Sequence, residues 1–122
     1  MGNANLSGAR LQGANLTGSN LSYANFGRAD LSRAILVNAT LTGMVLRNAD
    51  LEQANLANAN LSYAILQGAN LSRADFSNAD LSNADLTGAK MDGAILDNCN
   101  LVNAIWIDRS VCGAGSLGKC VK

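Results

Sequence analysis

The apolar and polar positions of the chain repeat every five residues. A large apolar residue, which we call the centre, stands at every fifth position from Leu6 to Leu101, and Trp106 extends the series by one step. Two positions before each centre the residue is alanine, except at Ser19, Met44 and Cys99. Asn or Asp usually lies between the two, and Ser or Thr often follows the centre. A short period that fills a chain indicates a repeat architecture.

A period of five fits neither a helix nor a long strand. Five residues of an α-helix advance about 140° past a full turn, so the leucines would spiral around it. Along a strand, positions five apart alternate between the two faces. Within one repeat, however, the alanine and the centre share a face and the Asn or Asp points outwards. The residues that follow favour turns, so each repeat predicts a very short strand and a bend.

This pattern resembles the A-[DN]-L-x-x consensus of the pentapeptide repeat family, with direct matches at ANLSG (4–8), ADLSN (79–83) and ADLTG (84–88). The resemblance covers about residues 4–108. It implies an all-β solenoid, the right-handed quadrilateral β-helix or repeated-five-residues fold, with one repeat per side and about five coils. Coils ~4.8 Å apart would give a rod ~25 Å long. We expect residues 1–108 to form this β-helix and residues 109–122 to form a C-terminal cap.

Stacked coils of this kind place residues twenty apart above one another, so the centres fill one interior ladder. We expect that ladder to include Phe26, Leu46, Leu56, Leu66, Phe76 and Trp106. Met44 replaces alanine at an inward site, which predicts a local bulge or a gap filler. Cys99 is also inward and is interpreted as a small buried apolar residue.

The last residue of each repeat is the second central residue of the predicted turn. A type II turn requires φ > 0 there, which Gly and Asn tolerate. We therefore expect type I turns in the repeats that end in other residues, namely Tyr23, Arg28, Arg33, Gln53, Tyr63 and Arg73.

The outward residues sort into four faces. One face carries charges of both signs and is interpreted as a solvated surface, whereas another is nearly uncharged and has Tyr23 and Tyr63 in one column. Val45 and Ile65 lie on adjacent coils of a third face. Tyrosine is enriched at interfaces, and the contiguous pair Val45 and Ile65 could form a small dimer contact. These four residues are therefore the candidate interaction surface. The alternative is an Asn/Thr ladder bonded along the stack, with tyrosines covering turn backbone and with aliphatic residues that need no functional explanation.

Composition narrows the possible functions. The 122 residues include nine basic and nine acidic side chains and no histidine. A net charge of zero gives no reason to expect nucleic acid or an anionic membrane as a partner. No apolar run approaches the ~20 residues of a membrane span, and the start is unlike a signal peptide. Without histidine, the commonest general base and metal ligand, we predict no catalytic site, no cofactor and no metal site.

Two cysteines in the tail are candidates for a disulfide. Cys112 and Cys120 are eight residues apart, and a bond between them would close the cap and stabilise it by roughly 2–3 kcal/mol. Free thiols or a metal are the alternatives, although two cysteines without histidine make a poor zinc site. A disulfide indicates an oxidising compartment. The family is abundant in cyanobacteria and occurs in the thylakoid lumen, so the resemblance implies periplasm or lumen if the bond forms, and cytoplasm otherwise.

The best interpretation is a non-enzymatic rigid scaffold that binds an unknown protein. Some pentapeptide repeat proteins imitate DNA with an acidic surface and bind DNA gyrase, but here the acidic residues are spread over all four faces. A second alternative is a structural domain cut from a larger protein, since the repeats begin directly after Met1. An open first coil would also invite stacking, which predicts a monomer or a weak end-to-end homodimer.

Overall fold

The computed structural model describes residues 3–122, so the start of the chain at Met1 lies outside the described residues. Within that range there is no helix, and the strands are isolated bridges of one residue each. Within the repeats the bridges are parallel and join residues twenty apart, as in the series Asn5, Asn25, Val45, Ile65, Asp85, Ile105. Four repeats therefore complete one coil, and each coil lies directly against the next.

Backbone hydrogen bonds join neighbouring coils at each side. On one side Leu46 N–H donates to Ile65 C=O at 2.7 Å, and Asn48 N–H donates to Gln67 C=O at 2.9 Å. In the opposite direction, Val45 N–H donates to Ala24 C=O at 2.9 Å. A further bond, from Ala49 N–H to Leu46 C=O at 3.0 Å, closes the turn inside the repeat. Almost every backbone polar group of a middle coil thus has a partner, as buried backbone requires.

The turns are uniform, and the prediction of type I turns was wrong. The last residue of each repeat has φ between 56° and 71° whatever its side chain, and this includes Tyr23, Arg28, Arg33, Gln53, Tyr63 and Arg73. The cause is the stacking bond of the same residue, such as Arg28 N–H to Arg47 C=O at 2.9 Å. A type I turn would reverse the central peptide plane and point this N–H away from the next coil. The stacked backbone therefore decides the turn type, and local propensity does not.

The interior is filled by the centre residues and the inward alanines. Phe26, Leu46, Leu56, Leu66 and Phe76 have no exposed surface, whereas Trp106 lies at the end of the stack and is only partly buried.

Two unusual inward residues also fit the interior. Met44 is fully buried, and Ile65 N–H bonds its carbonyl at 2.9 Å in the regular pattern, so it fills a gap and forms no bulge. Burial raises the pKa of the Cys99 thiol to about 12, with Asp80 adding to the effect. The thiol is therefore neutral and unreactive at physiological pH.

The C-terminal tail lies across the end of the last coil. Val111 and Leu117 form antiparallel bridges with Ile105 and Asn100. Ser116 C=O accepts from Leu101 N–H and Cys112 C=O accepts from Asn103 N–H, both at 2.8 Å. The tail thus supplies the acceptors that a further coil would otherwise provide for the N–H groups of Leu101 and Asn103.

We expect Leu56→Ala to lower the free energy of unfolding by about 2–5 kcal/mol, because the surrounding coils are held by backbone bonds and cannot close the cavity. Guanidinium denaturation followed by circular dichroism measures the loss. Leu11→Ala is the matched control, since Leu11 is a centre residue in a coil where it is only partly buried. Equal losses in the two variants would contradict a core that is packed most tightly in the middle coils.

We expect Gln53→Val to destabilise the protein by about 1–3 kcal/mol, because a β-branched residue is strained at the φ of 59° found here. Gln53→Asn should be neutral or stabilising, since Asn tolerates this conformation. Both side chains are solvated at this exposed corner, so the difference in the denaturation midpoint isolates the backbone effect. Equal midpoints would show that the corner can change its turn type after all.

Candidate interaction surface

The outward Asn and Asp residues hold the backbone of their own side. The Asn25 side-chain oxygen accepts from Gly27 N–H at 2.9 Å, and the Asp85 carboxylate accepts from the N–H and the hydroxyl of Thr87 at 3.0 and 2.6 Å. The same bond recurs on the nearly uncharged face, from Ser62 N–H to Asn60 at 3.0 Å. These bonds join residues two apart in one repeat, so each holds the backbone of its own side.

Tyr23 and Tyr63 stand at one corner of the stack and are 61% and 62% exposed. Gly43 lies between them in the same column. A Cβ built on Gly43 would come within 2.5 Å of the Tyr23 ring, so this ring rests directly on the glycine. The ring therefore covers turn backbone, as the alternative reading of the sequence proposed, and still presents most of its surface to solvent.

Val45 and Ile65 lie beside that corner. They form a parallel bridge with each other and are half-buried. Ile65 is separated from Tyr63 by one inward alanine, and Val45 is separated in the same way from Gly43 and the Tyr23 ring by Met44. The four residues, which the sequence assigned to two different faces, thus border one edge. We call them the corner patch.

A shallow groove of about 450 Å³ adjoins the corner patch. Its lining consists of Ser7, Gly8, Asn25, Gly27, Arg28, Val45, Arg47 and Asn48. Sequence reasoning missed the groove. The feature of the sequence that could have indicated the groove is Gly27, the only glycine that directly follows a centre residue among the repeats.

A line of polar side chains leads away from the groove up the stack. Arg47 Nε donates to Gln67 Oε1 at 3.1 Å, and Gln67 Nε2 donates to Asp85 Oδ2 at 2.6 Å. Burial opposes ionisation of Asp85, but bonds from Thr87 and Gln67 and the charge of Arg47 lower the pKa of this carboxyl below its usual value. Asp85 is therefore a fixed anion whose oxygens are already engaged.

The face of mixed charge has two grooves of its own, of about 520 and 240 Å³. Both include Glu52 in their lining, and Glu52 forms an ion pair with Arg73. The Asp30 carboxyl on the same face has its pKa lowered chiefly by bonds from Ser32, with help from Gln12 and Arg33. Charges on this face are thus largely balanced by their neighbours.

The structure places the two tail cysteines at bonding distance. The Cys112 and Cys120 sulfur atoms are 2.04 Å apart, and their Cα atoms are 5.0 Å apart. Inside the loop that they close, the buried Ser116 hydroxyl donates to Gly113 C=O at 2.7 Å and accepts from Val121 N–H at 2.9 Å. Lys122 bonds Asp108 at 2.7 Å, and this contact is the main reason that the pKa of Asp108 falls below its usual range.

Two kinds of feature are absent from the part of the chain that the structure describes. No three His, Cys, Asp or Glu side chains in residues 3–122 are grouped so that they could hold a metal ion. Nor does this part of the chain contain a helix with the length and apolar character needed to span a membrane.

A family profile and a solved structure both indicate the same protein family for this chain. The profile for pentapeptide repeats (8 copies) matches residues 1–36, 34–73 and 69–105. The crystal structure of Rfr23, a pentapeptide repeat protein from the cyanobacterium Cyanothece 51142, is 34% identical with a TM-score of 0.76, and the match covers 86% of this chain and 89% of that one.

Two more distant structures share the fold. A pentapeptide repeat protein from the Arabidopsis thaliana thylakoid lumen is 23% identical with a TM-score of 0.64, covering 83% of this chain and 67% of that one. QnrB1, a plasmid-mediated fluoroquinolone resistance protein, is 18% identical with a TM-score of 0.72, covering 85% and 59%. No curated protein is significantly similar in sequence to this chain.

Proposed function

The chain belongs to the pentapeptide repeat family, and we propose that it is a non-enzymatic, rigid scaffold that binds a protein partner through the corner patch. We further propose a right-handed quadrilateral β-helix of about five coils, closed by residues 109–122 as a cap. The parallel bridges between residues twenty apart and the bonds from the tail to the last coil support this architecture.

The observation that carries the proposal is the exposure of two tyrosines next to two aliphatic residues. The backbone that carries them is held by hydrogen bonds between coils. Tyr23 and Tyr63 each leave more than half of their surface in solvent, at 61% and 62%. Aromatic residues are enriched at protein interfaces and contribute large contact area with few rotatable bonds. Because the coils are held by hydrogen bonds on every side, the surface loses little backbone entropy on binding.

The chemistry of the side chains favours binding over catalysis. The family is one of structural repeat proteins. The Asp85 and Asp30 carboxylates hold local turns and neighbouring amides, and the Cys99 thiol is buried and neutral. The two carboxylates stabilise the backbone of their own repeats, and the thiol lies in the core. None of the three groups is presented to a substrate.

A gyrase-binding DNA mimic fits the surface less well. Such a mimic requires a continuous acidic face. In this protein the groove beside the corner patch is lined by Arg28 and Arg47, and a groove on the mixed-charge face is lined by Arg73 and Lys90 as well as by acids. The similarity to QnrB1 at 18% identity concerns the fold alone. We therefore propose an unknown protein as the partner, and neither nucleic acid nor a membrane. We also propose that the chain is a monomer or a weak end-to-end homodimer.

We propose that Cys112 and Cys120 form a disulfide and that the protein works in an oxidising compartment, either a periplasm or a thylakoid lumen. The separation of the two Cα atoms, 5.0 Å, lies in the range found for disulfides and supports the bond. If the thiols are free in the cell, the cytoplasm becomes the better assignment.

Loss of this bond should weaken the cap. We expect the double variant Cys112→Ser, Cys120→Ser to unfold with a free energy lower by about 2–3 kcal/mol, because the unfolded chain is no longer constrained. Guanidinium denaturation with and without reductant measures the effect, and intact mass reports the two hydrogens gained on reduction. Cys99→Ala is the control, since it should keep the full response to reductant. A wild-type protein that is insensitive to reductant would refute the disulfide.

A photo-crosslinking side chain at position 63 should capture the partner in extract of the native cell, whereas the same side chain at position 53 should not. The two positions are matched, because both residues are exposed at a corner with φ near 60°, 62° at Tyr63 and 59° at Gln53. We expect Ile65→Asn to reduce the crosslinked product about fivefold, since a contact at the centre of an interface is worth about 1 kcal/mol or more. Equal capture from both positions would contradict the assignment of the corner patch.

A further inference from the structure

We propose that the groove beside the corner patch binds an acidic, extended segment of the protein partner, with Arg28 and Arg47 holding its carboxylates. This inference rests on the proposed function, because it names the chemical class of the partner for the same surface. It is argued from the charge, the shape and the surroundings of the groove.

The charge of the groove has one sign. Arg28 and Arg47 are its charged lining residues, and both side chains are exposed. Within residues 3–122 neither guanidinium forms an ion pair. The neutral Gln67 side chain lies between Arg47 and Asp85, so the charge of Arg47 acts on Asp85 only from a distance. On the mixed-charge face, by contrast, the grooves are lined by acids as well, and Arg73 is already paired with Glu52. The groove next to the corner patch therefore presents positive charge that its own lining does not neutralise.

The floor of the groove is open backbone. Gly8 and Gly27 contribute no side chains, and a Cβ built on Gly8 would meet nothing within 4 Å. In the column of Gly27 the neighbouring coils carry Ser7 and Arg47, so the glycine leaves a gap between two side chains. The lining extends over three stacked coils, about 10 Å, which matches roughly three residues of an extended chain. A segment of that length can place one carboxylate at each guanidinium.

The surroundings favour a peptide over a long polyanion. The two parallel N–H groups of a planar guanidinium match the oxygen atoms of a carboxylate and of a phosphate equally well. However, Asp30 lies two residues after Arg28, and Asp50 lies two residues after Asn48. Both aspartates are on the face that follows this corner, and Asp85 lies further up the stack. A nucleic acid that continued beyond the groove would meet these carboxylates. On the other side the groove shares Val45 with the corner patch, whose apolar surface suits the apolar side chains of a protein segment.

The test uses the full chain and two fluorescein-labelled octapeptides. In the first, aspartates alternate with leucines, and in the second, asparagines replace the aspartates. Fluorescence anisotropy at low ionic strength should show binding of the first peptide and much weaker binding of the second. We expect Arg28→Gln and Arg47→Gln each to weaken binding about threefold to fivefold, the range for an exposed charge pair. Arg33→Gln is the matched control, because Arg33 has the same φ of 58° as Arg28 at the same turn position but lies outside the groove.

A second pair of variants tests shape without changing charge. Gly27→Gln introduces the side chain that Gln67 carries in the same column, and it should fill the groove and lower the affinity about tenfold. Its backbone is outside the left-handed region, so glycine is not required there for conformation. Ser77→Gln is the control, because Ser77 holds the same position of a repeat on another face and lines neither the groove nor the corner patch. Circular dichroism and the denaturation midpoint verify that both variants remain folded.

The outcomes separate the two proposals. Equal binding of the aspartate and asparagine peptides, or equal effects of Arg33→Gln and Arg28→Gln, would each overturn the acidic-segment proposal. If the acidic peptide fails to bind while crosslinking at position 63 survives, the class of partner is wrong but the scaffold role stands. If crosslinking at position 63 also fails, the proposed function falls with it.

Discussion

The backbone hydrogen bond between successive coils is the interaction on which the rest of this structure depends. It recurs along the stack, as in Arg33 N–H to Glu52 C=O at 2.8 Å, and it requires a left-handed residue at the corner. With the corners fixed, the centre residue and the alanine must point inwards and the Asn or Asp must point outwards. The apolar core, the outward columns and the grooves are all consequences of that one repeated contact.

Much of the fold could be predicted from the sequence, because the period of five and the inward positions are encoded directly in residues such as Ala54 and Leu56. The turn type could not be predicted in the same way. At Arg28, local preference opposes a positive φ, and two stacking bonds, which exist only between assembled coils, outweigh it. Single-residue propensity is a weak guide wherever a backbone group is shared between neighbouring repeats.

The candidate site was only partly visible in the sequence. Tyr23, Tyr63, Val45 and Ile65 are unusual at their positions, so the pattern identified them. Their common edge depends on the geometry of a corner, which places the end of one side beside the start of the next. The groove depends on a missing side chain at Gly27 and on the directions taken by Arg28 and Arg47, and a pattern of residue types does not contain those directions.

The pairing of residues twenty apart also has a kinetic meaning. No contact between coils has to wait for a distant part of the chain, so each coil can form as soon as its predecessor offers an edge. The loop closed at every step has the same length, and hence nearly the same entropic cost. Assembly is then a one-dimensional zipping process in which the free energy is gained coil by coil. The tail, which needs the last coil as its template, is the element that such a process completes last.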